Sequence, residues 1–173
     1  MTWLLVAVLS VFLAILIKWI PRAWVVFNGT ALIRACGVTL FAANVFVALT
    51  AVGGGVTVAA GVDKFPADWL LGTPFNSYLV PGLILAVVVG GSAVAAAVAT
   101  LRRSDAGAVT SMLSGAILLG WLAGERLILP SAAFPPQFEW LEAIYIAVGL
   151  MMVAPGLMVR WAGRGVRSRS AIR

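Results

Sequence analysis

The chain has 173 residues, 62% of them hydrophobic and 10% charged, with a mean hydropathy of +1.08. That leaves too little polar surface to coat a water-soluble domain of this size, and the long apolar runs leave no room for a separate soluble one. The absence of histidine excludes Ser-His-Asp and Cys-His triads, imidazole zinc sites and histidine-held haem, and the single cysteine, Cys36, excludes an internal disulfide or a Cys-x-x-Cys pair. The net charge of +6 does not mark a nucleic-acid binder, because the bases lie between apolar runs and not on a folded polar face.

Five apolar runs follow one another. The first, Trp3 to Ile17, is followed and not preceded by its basic residues, Lys18 and Arg22, and carries no small-residue cleavage site, so it reads as a retained helix and not a signal peptide. Lys18 to Thr30 holds Trp19, Ile20, Trp24, Val25, Val26 and Phe27 and fits an interfacial helix or a loop; Asn28-Gly29-Thr30 matches a glycosylation sequon on the predicted cytoplasmic side and carries no meaning there. The second run spans about Ala31 to Val52 and ends at Gly53-Gly54-Gly55. The third runs from Tyr78 to Leu101, with Pro81 in the first turn, where a missing N–H costs nothing, and stops at Arg102-Arg103. The fourth covers about Val109 to Leu129 and is closed by Pro130. The fifth runs from about Trp140 to Val159, with Pro155 as a local kink.

The charges orient these runs. Lys18, Arg22, Arg34, Arg102, Arg103, Arg160, Arg164, Arg167, Arg169 and Arg173 all fall on one side, while Asp63, Asp68, Glu125, Glu139 and Glu142 fall at or near the other. By the positive-inside rule the fold is an all-α membrane protein, a five-transmembrane-helix bundle over residues 1–159 with the N-terminus outside, and a basic cytoplasmic tail over 160–173. Trp3, Trp69 and Trp140 then sit at outer ends and Trp19, Trp24 and Trp161 at inner ends, as indoles prefer; Trp121 lies deeper.

Small residues recur four apart at Gly82, Ala86 and Gly90, at Gly91, Ala95 and Ala99, and at Ala116, Gly120 and Gly124. In lipid such stripes let helices approach closely, either within the bundle or against a second copy or a partner protein. Glu125 and Arg126 are adjacent opposite charges inside a span; neighbours on a helix point about 100° apart, so the expectation is that they do not share one groove. Both side chains reach the headgroups by snorkelling, or else Glu125 faces the bundle as a proton-titrating or ligand-binding carboxylate, with Lys64 or Arg126 as partner. Asn44 lies at mid-depth, where an amide needs an interhelical hydrogen bond; it serves as structural glue or as a ligand contact. Arg34 at the inner mouth, and Arg160, Arg164, Arg167 and Arg169 in the tail, meet lipid headgroups, and the tail could alternatively dock an acidic partner. Between the second and third runs, the loop from Gly53 to Tyr78 mixes aromatic, turn and helix-entry residues and reads as a segment folded back over the bundle mouth.

The run Thr73-Pro74-Phe75-Asn76-Ser77-Tyr78-Leu79-Val80-Pro81-Gly82-Leu83-Ile84-Leu85, then Arg102-Arg103, then Gly120-Trp121-Leu122 before a polar residue, resembles a group of small bacterial four-helix integral membrane proteins that is faintly DoxX-like. The resemblance covers about Arg34 to Gly156 and implies a four-helix core to which the first helix is an addition. It implies no activity. The bias to Ala, Val and Gly with arginine ahead of lysine is similar to that of high-GC bacterial proteins, which places the chain in a bacterial cytoplasmic membrane. The sequence therefore reads as a non-catalytic multi-pass protein without cofactor or metal. Its expected role is an accessory or scaffold subunit of an envelope, transport or respiratory complex, with membrane lipids and other subunits or a second copy as partners. The rival is a binder or carrier of a lipid, quinone or other hydrophobic small molecule near Asn44, Trp121, Glu125 and Arg126. Proton-coupled transport through Glu125 is disfavoured, because five spans show no internal repeat.

Overall fold

A computed structural model describes residues 31–62, 65–102, 105–129 and 140–154. The predicted first helix, the Lys18 to Thr30 stretch, Lys64 and the tail from Arg160 lie outside the described residues. Those described form helices α1 (Ala31–Ala59), α2 (Leu79–Leu101), α3 (Asp105–Ile128) and α4 (Trp140–Ala154), with a short 3-10 turn at Ala67–Leu70 and no strand among them. Three stretches, Ala35–Ala59, Leu79–Leu101 and Ala106–Ile128, are long and apolar enough to cross a membrane.

The first departure from expectation is at the end of α1. The helix passes through Gly53-Gly54-Gly55 and stops at Gly61, whose φ of +66° suits a residue without a Cβ. There the Gly61 amide donates to the Val58 carbonyl and the Val62 amide to that of Thr57, so the last turn is closed by a Schellman motif. The triple glycine stays helical because its third member is where α1 meets α2. A Cβ on Gly55 would lie 2.5 Å from the Ala86 nitrogen and from the Gly82 carbonyl oxygen, and one on Gly82 would lie 2.6 Å from the Ala59 nitrogen. Further along the seam, a Cβ on Gly90 would lie 2.6 Å from Val52 Cγ2. Gly82, Ala86 and Gly90 therefore press on a complementary stripe of α1, Ala51, Gly55 and Ala59, backbone against backbone.

A second departure lies within α2, where Ile84–Gly90 winds as a π-helix between two α-helical segments. Apolar periodicity does not distinguish that wider turn from an α-turn, although such insertions cluster at functional sites.

The seams fix an up-down-up-down order. Positions on α1 fall as their α2 partners rise, Gly107 at the start of α3 meets Thr100 near the end of α2, and Gly115 of α3 meets Gly149 of α4. Phe46 of α1 stacks on Tyr145 of α4 with ring centroids 5.8 Å apart, which brings the first and last described helices side by side. The buried cluster at the centre draws on all four: Ala43, Val47, Ala48 and Ala51; Val89 and Ala93; Leu118; Met152. Gly120 and Gly124, expected to pack helices, have nothing within 4 Å of a built Cβ among the described residues. They lie on the α3 face that carries exposed Leu113, Ala116 and Leu127. Gly115, one face away, makes the contact with α4.

Candidate functional site

Two polar features interrupt the apolar interior, and they are separate. Asn44 is fully buried near the middle of α1. Its amide N–H groups donate to the Leu40 carbonyl at 2.7 Å and to the Ser111 hydroxyl of α3 at 2.9 Å. Because a carbonyl oxygen can only accept, the amide orientation is determined: the nitrogen must face Leu40. Each hydroxyl has one proton, so the rest of the chain is directional as well. Thr100 of α2 donates to Ala96 at 2.7 Å, which leaves Ser111 to donate to Thr100 across 3.2 Å. One turn along, Ser92 donates to the Val89 carbonyl, so Ser114 donates to Ser92, also across 3.2 Å. The Asn44 Oδ1 is buried without a hydrogen-bond partner among the described residues. These groups tie α1, α2 and α3 together where no water can compensate a lost bond.

The second feature is a cavity of about 340 Å³ at the end of the bundle where α1 and α3 finish and α2 and α4 begin. Helix order places its wall: Thr50, Gly54 and Val58 come from α1, Leu85 from the π segment of α2, Leu118, Trp121, Glu125 and Arg126 from α3, and Glu142 and Tyr145 from α4. The volume falls in the range of small-molecule sites, and the wall has their usual character, mostly apolar with a few convergent polar groups. On α3, Leu118, Trp121, Leu122 and Glu125 recur at three- and four-residue spacing, so a single helix face presents them all. The Trp121 indole stands beside the Glu125 carboxyl group, one turn away on that face. The Tyr145 phenol lies near the Thr50 hydroxyl in the same wall. Thr50 itself donates to the Phe46 carbonyl at 2.9 Å.

At the mouth, Arg126 Nε donates to Glu142 Oε1 at 2.8 Å and its Nη2 to Glu142 Oε2, a two-pronged ion pair that clamps α3 to α4. It is the one salt bridge among the described residues. Glu125 and Arg126 thus line one cavity after all. The expectation from the 100° offset fails because the cavity opens at the bundle's end: the long Arg126 side chain bends to the rim and α4, while Glu125 lines the wall above Trp121.

The loop before α2 contributes Phe65 to the wall. Its ring packs on Trp69 and Tyr78, with centroids 5.8 and 5.5 Å apart, and the Tyr78 hydroxyl donates to the Pro66 carbonyl at 2.7 Å. Partial burial raises the Tyr78 phenol above its ordinary range. Thr73 braces the loop, donating to the Leu70 carbonyl at 2.8 Å and accepting from the Phe75 amide at 3.2 Å.

Of the residues singled out from sequence, Trp121, Glu125 and Arg126 come together here. Asn44 does not: it lies six residues before Thr50, the first wall residue of α1, about 9 Å of helix rise away, and belongs to the separate hydrogen-bonded chain. Sequence reasoning missed Thr50, Phe65, Glu142 and Tyr145. A signal existed for Glu142, an acid just inside α4 facing a base just inside the end of α3, with Tyr145 on the same face one turn on. No group of three or more potential metal ligands occurs among the described residues. Comparison with known protein families, with curated proteins and with solved structures finds no match.

Proposed function

We propose that the protein is a membrane-embedded binder of a small hydrophobic molecule, held in the cavity between α1, α3 and α4. The observation that carries this reading is the cavity itself: an apolar space of about 340 Å³ into which a carboxylate, an indole and a phenol converge. A bundle needing only stability would close such a space, because an unfilled cavity costs packing energy and an acid in lipid is costly. The Phe65, Trp69 and Tyr78 cluster supports the loop as a cover over the mouth. The charge pattern supports a bacterial cytoplasmic membrane, with this end of the bundle outward and the arginine tail on anionic lipid.

The test uses the full chain, extracted gently from its own membrane, in native mass spectra of wild type and Gly54→Trp. Gly54 lines the cavity, and a built Cβ there meets only Leu85 Cδ2 at 4.0 Å, so an indole at this position enters the space without striking backbone. The expected result is a defined small-molecule adduct on wild type that is missing from Gly54→Trp. A bare wild-type chain, or the same adduct on both, would overturn the reading.

A second reading, an accessory or scaffold subunit of a larger membrane complex, is favoured by one specific observation. Leu113, Ala116, Gly120 and Leu127 form an exposed face of α3 with small residues at its centre, as helix seams in membranes have. Gly120→Leu would then remove a stoichiometric partner from the extracted complex. An unchanged complex, or none in wild type, would count against it.

A further inference from the structure

The chemistry of the cavity wall narrows the kind of molecule it takes, on the condition that the binding reading above holds. Among the described residues, three side chains of formal charge line the space: Glu125, Arg126 and Glu142. Arg126 and Glu142 cancel through their two-pronged pair at the mouth. Among the described residues the wall is left with one acid that no basic side chain pairs, Glu125, which stands beside the Trp121 indole. The rings of Trp121, Tyr145 and Phe65, each with an electron-rich face, line the same space. A single anion framed by aromatic rings is a poor receptor for a second anion and an indifferent one for a neutral hydrocarbon. It suits a cation whose charge is spread over carbon, because such a cation loses little hydration, pairs with the carboxylate and sits against the rings.

We propose that the cavity binds a hydrophobic organic cation, an amine or quaternary ammonium with an apolar body, with Glu125 as counter-charge and Trp121 and Tyr145 as the aromatic walls. The Arg126 and Glu142 pair at the rim fits this assignment: it neutralises the one base among the described wall residues that would otherwise compete for Glu125. The aromatic loop residue Phe65 then covers the apolar end of the ligand.

The experiment compares benzyltrimethylammonium with neopentylbenzene, its uncharged carbon counterpart of the same shape. Both are scored as competitors of photolabelling by neutral trifluoromethylphenyl diazirine. The full chain is reconstituted in phosphatidylcholine vesicles, and labelling of the peptide carrying Leu118 to Glu125 is read by mass spectrometry. Each competitor is compared with itself between wild type and variant, which removes its partition into lipid. In Glu125→Gln the half-protecting concentration of the ammonium should rise about tenfold or more, while that of neopentylbenzene stays within about twofold. Glu125→Asp, which keeps the charge, should retain most of the ammonium's advantage, and unchanged protection by neopentylbenzene shows that both variants hold their cavity. Equal shifts for the two competitors, or no shift for the ammonium, would overturn the cation assignment and leave a neutral-ligand site standing. Absence of labelling at Leu118 to Glu125 in wild type would overturn the binding reading, and this assignment with it.

Discussion

Asn44 shows how a single polar residue is used where water is absent. Its two amide protons are spent on Leu40 and Ser111, and Ser111 passes its own proton to Thr100, so one side chain sets the donor direction across three helices. Interhelical bonds of this kind contribute modestly, because the unfolded helices in lipid find other partners. A double-mutant cycle on Asn44→Ala and Ser111→Ala should give a coupling of about 0.5 to 1.5 kcal/mol in SDS unfolding of the detergent-solubilised protein. Strict additivity would remove the bond from the account of stability. The Arg126 and Glu142 pair is a different case, since half of the arginine side chain is exposed and such pairs contribute little to stability on their own. Its role is geometric. The charge swap Arg126→Glu with Glu142→Arg should restore whatever the single Glu142→Arg loses in cavity labelling, and failure of the swap to rescue would mean that the fork does not hold the mouth.

At the scale of elements, the decisive contacts are between helices whose backbones touch. The four-residue spacing of Gly82, Ala86 and Gly90 was legible, and these residues do form a seam with α1. Its other half was hidden, because Gly53-Gly54-Gly55 has the local character of a break and only the neighbouring helix makes it worth keeping helical. Gly115 and Gly149 lay outside the stripes singled out from sequence, although Gly107, Ser111 and Gly115 are also spaced four apart, whereas the regular Gly120 and Gly124 face away from the other described helices. The π segment at Ile84–Gly90 has no sequence signal, since a run of Val, Leu, Ile and Ala suits either winding. A contrast follows. Gly55→Ala places a methyl 2.5 Å from the backbone of α2 and should cost about 1 to 3 kcal/mol in SDS unfolding, while Gly120→Ala, with open space beside it, should be neutral or slightly stabilising. Equal effects from the two substitutions would contradict the seam.

For the molecule as a whole, composition was enough to put the chain in a bilayer, and three of its helices are long and apolar enough to cross one. The antiparallel order of α1 to α4, fixed by their backbone seams, makes one end of the bundle gather what the sequence scatters. Thr50, Phe65, Trp121, Glu125, Glu142 and Tyr145 lie far apart in the chain, and only helix order and the cover formed by the loop bring them to one cavity. Trp121, Glu125 and Arg126 stood out as polar or aromatic residues inside an apolar run; their partners on other helices did not, because an isolated Tyr or Thr near a helix end is unremarkable at an interface. The central claim is that this cavity is a place a small hydrophobic molecule enters. Photolabelling by trifluoromethylphenyl diazirine in phosphatidylcholine vesicles, compared between wild type and Gly54→Trp, tests it most directly. The account predicts that Leu118 to Glu125 is labelled in wild type and loses at least about nine-tenths of that label in Gly54→Trp, a tenfold change in occupancy, while the exposed α2 face at Leu83, Val87 and Val94 is labelled equally in both. Equal labelling of Leu118 to Glu125 in the two proteins would contradict it.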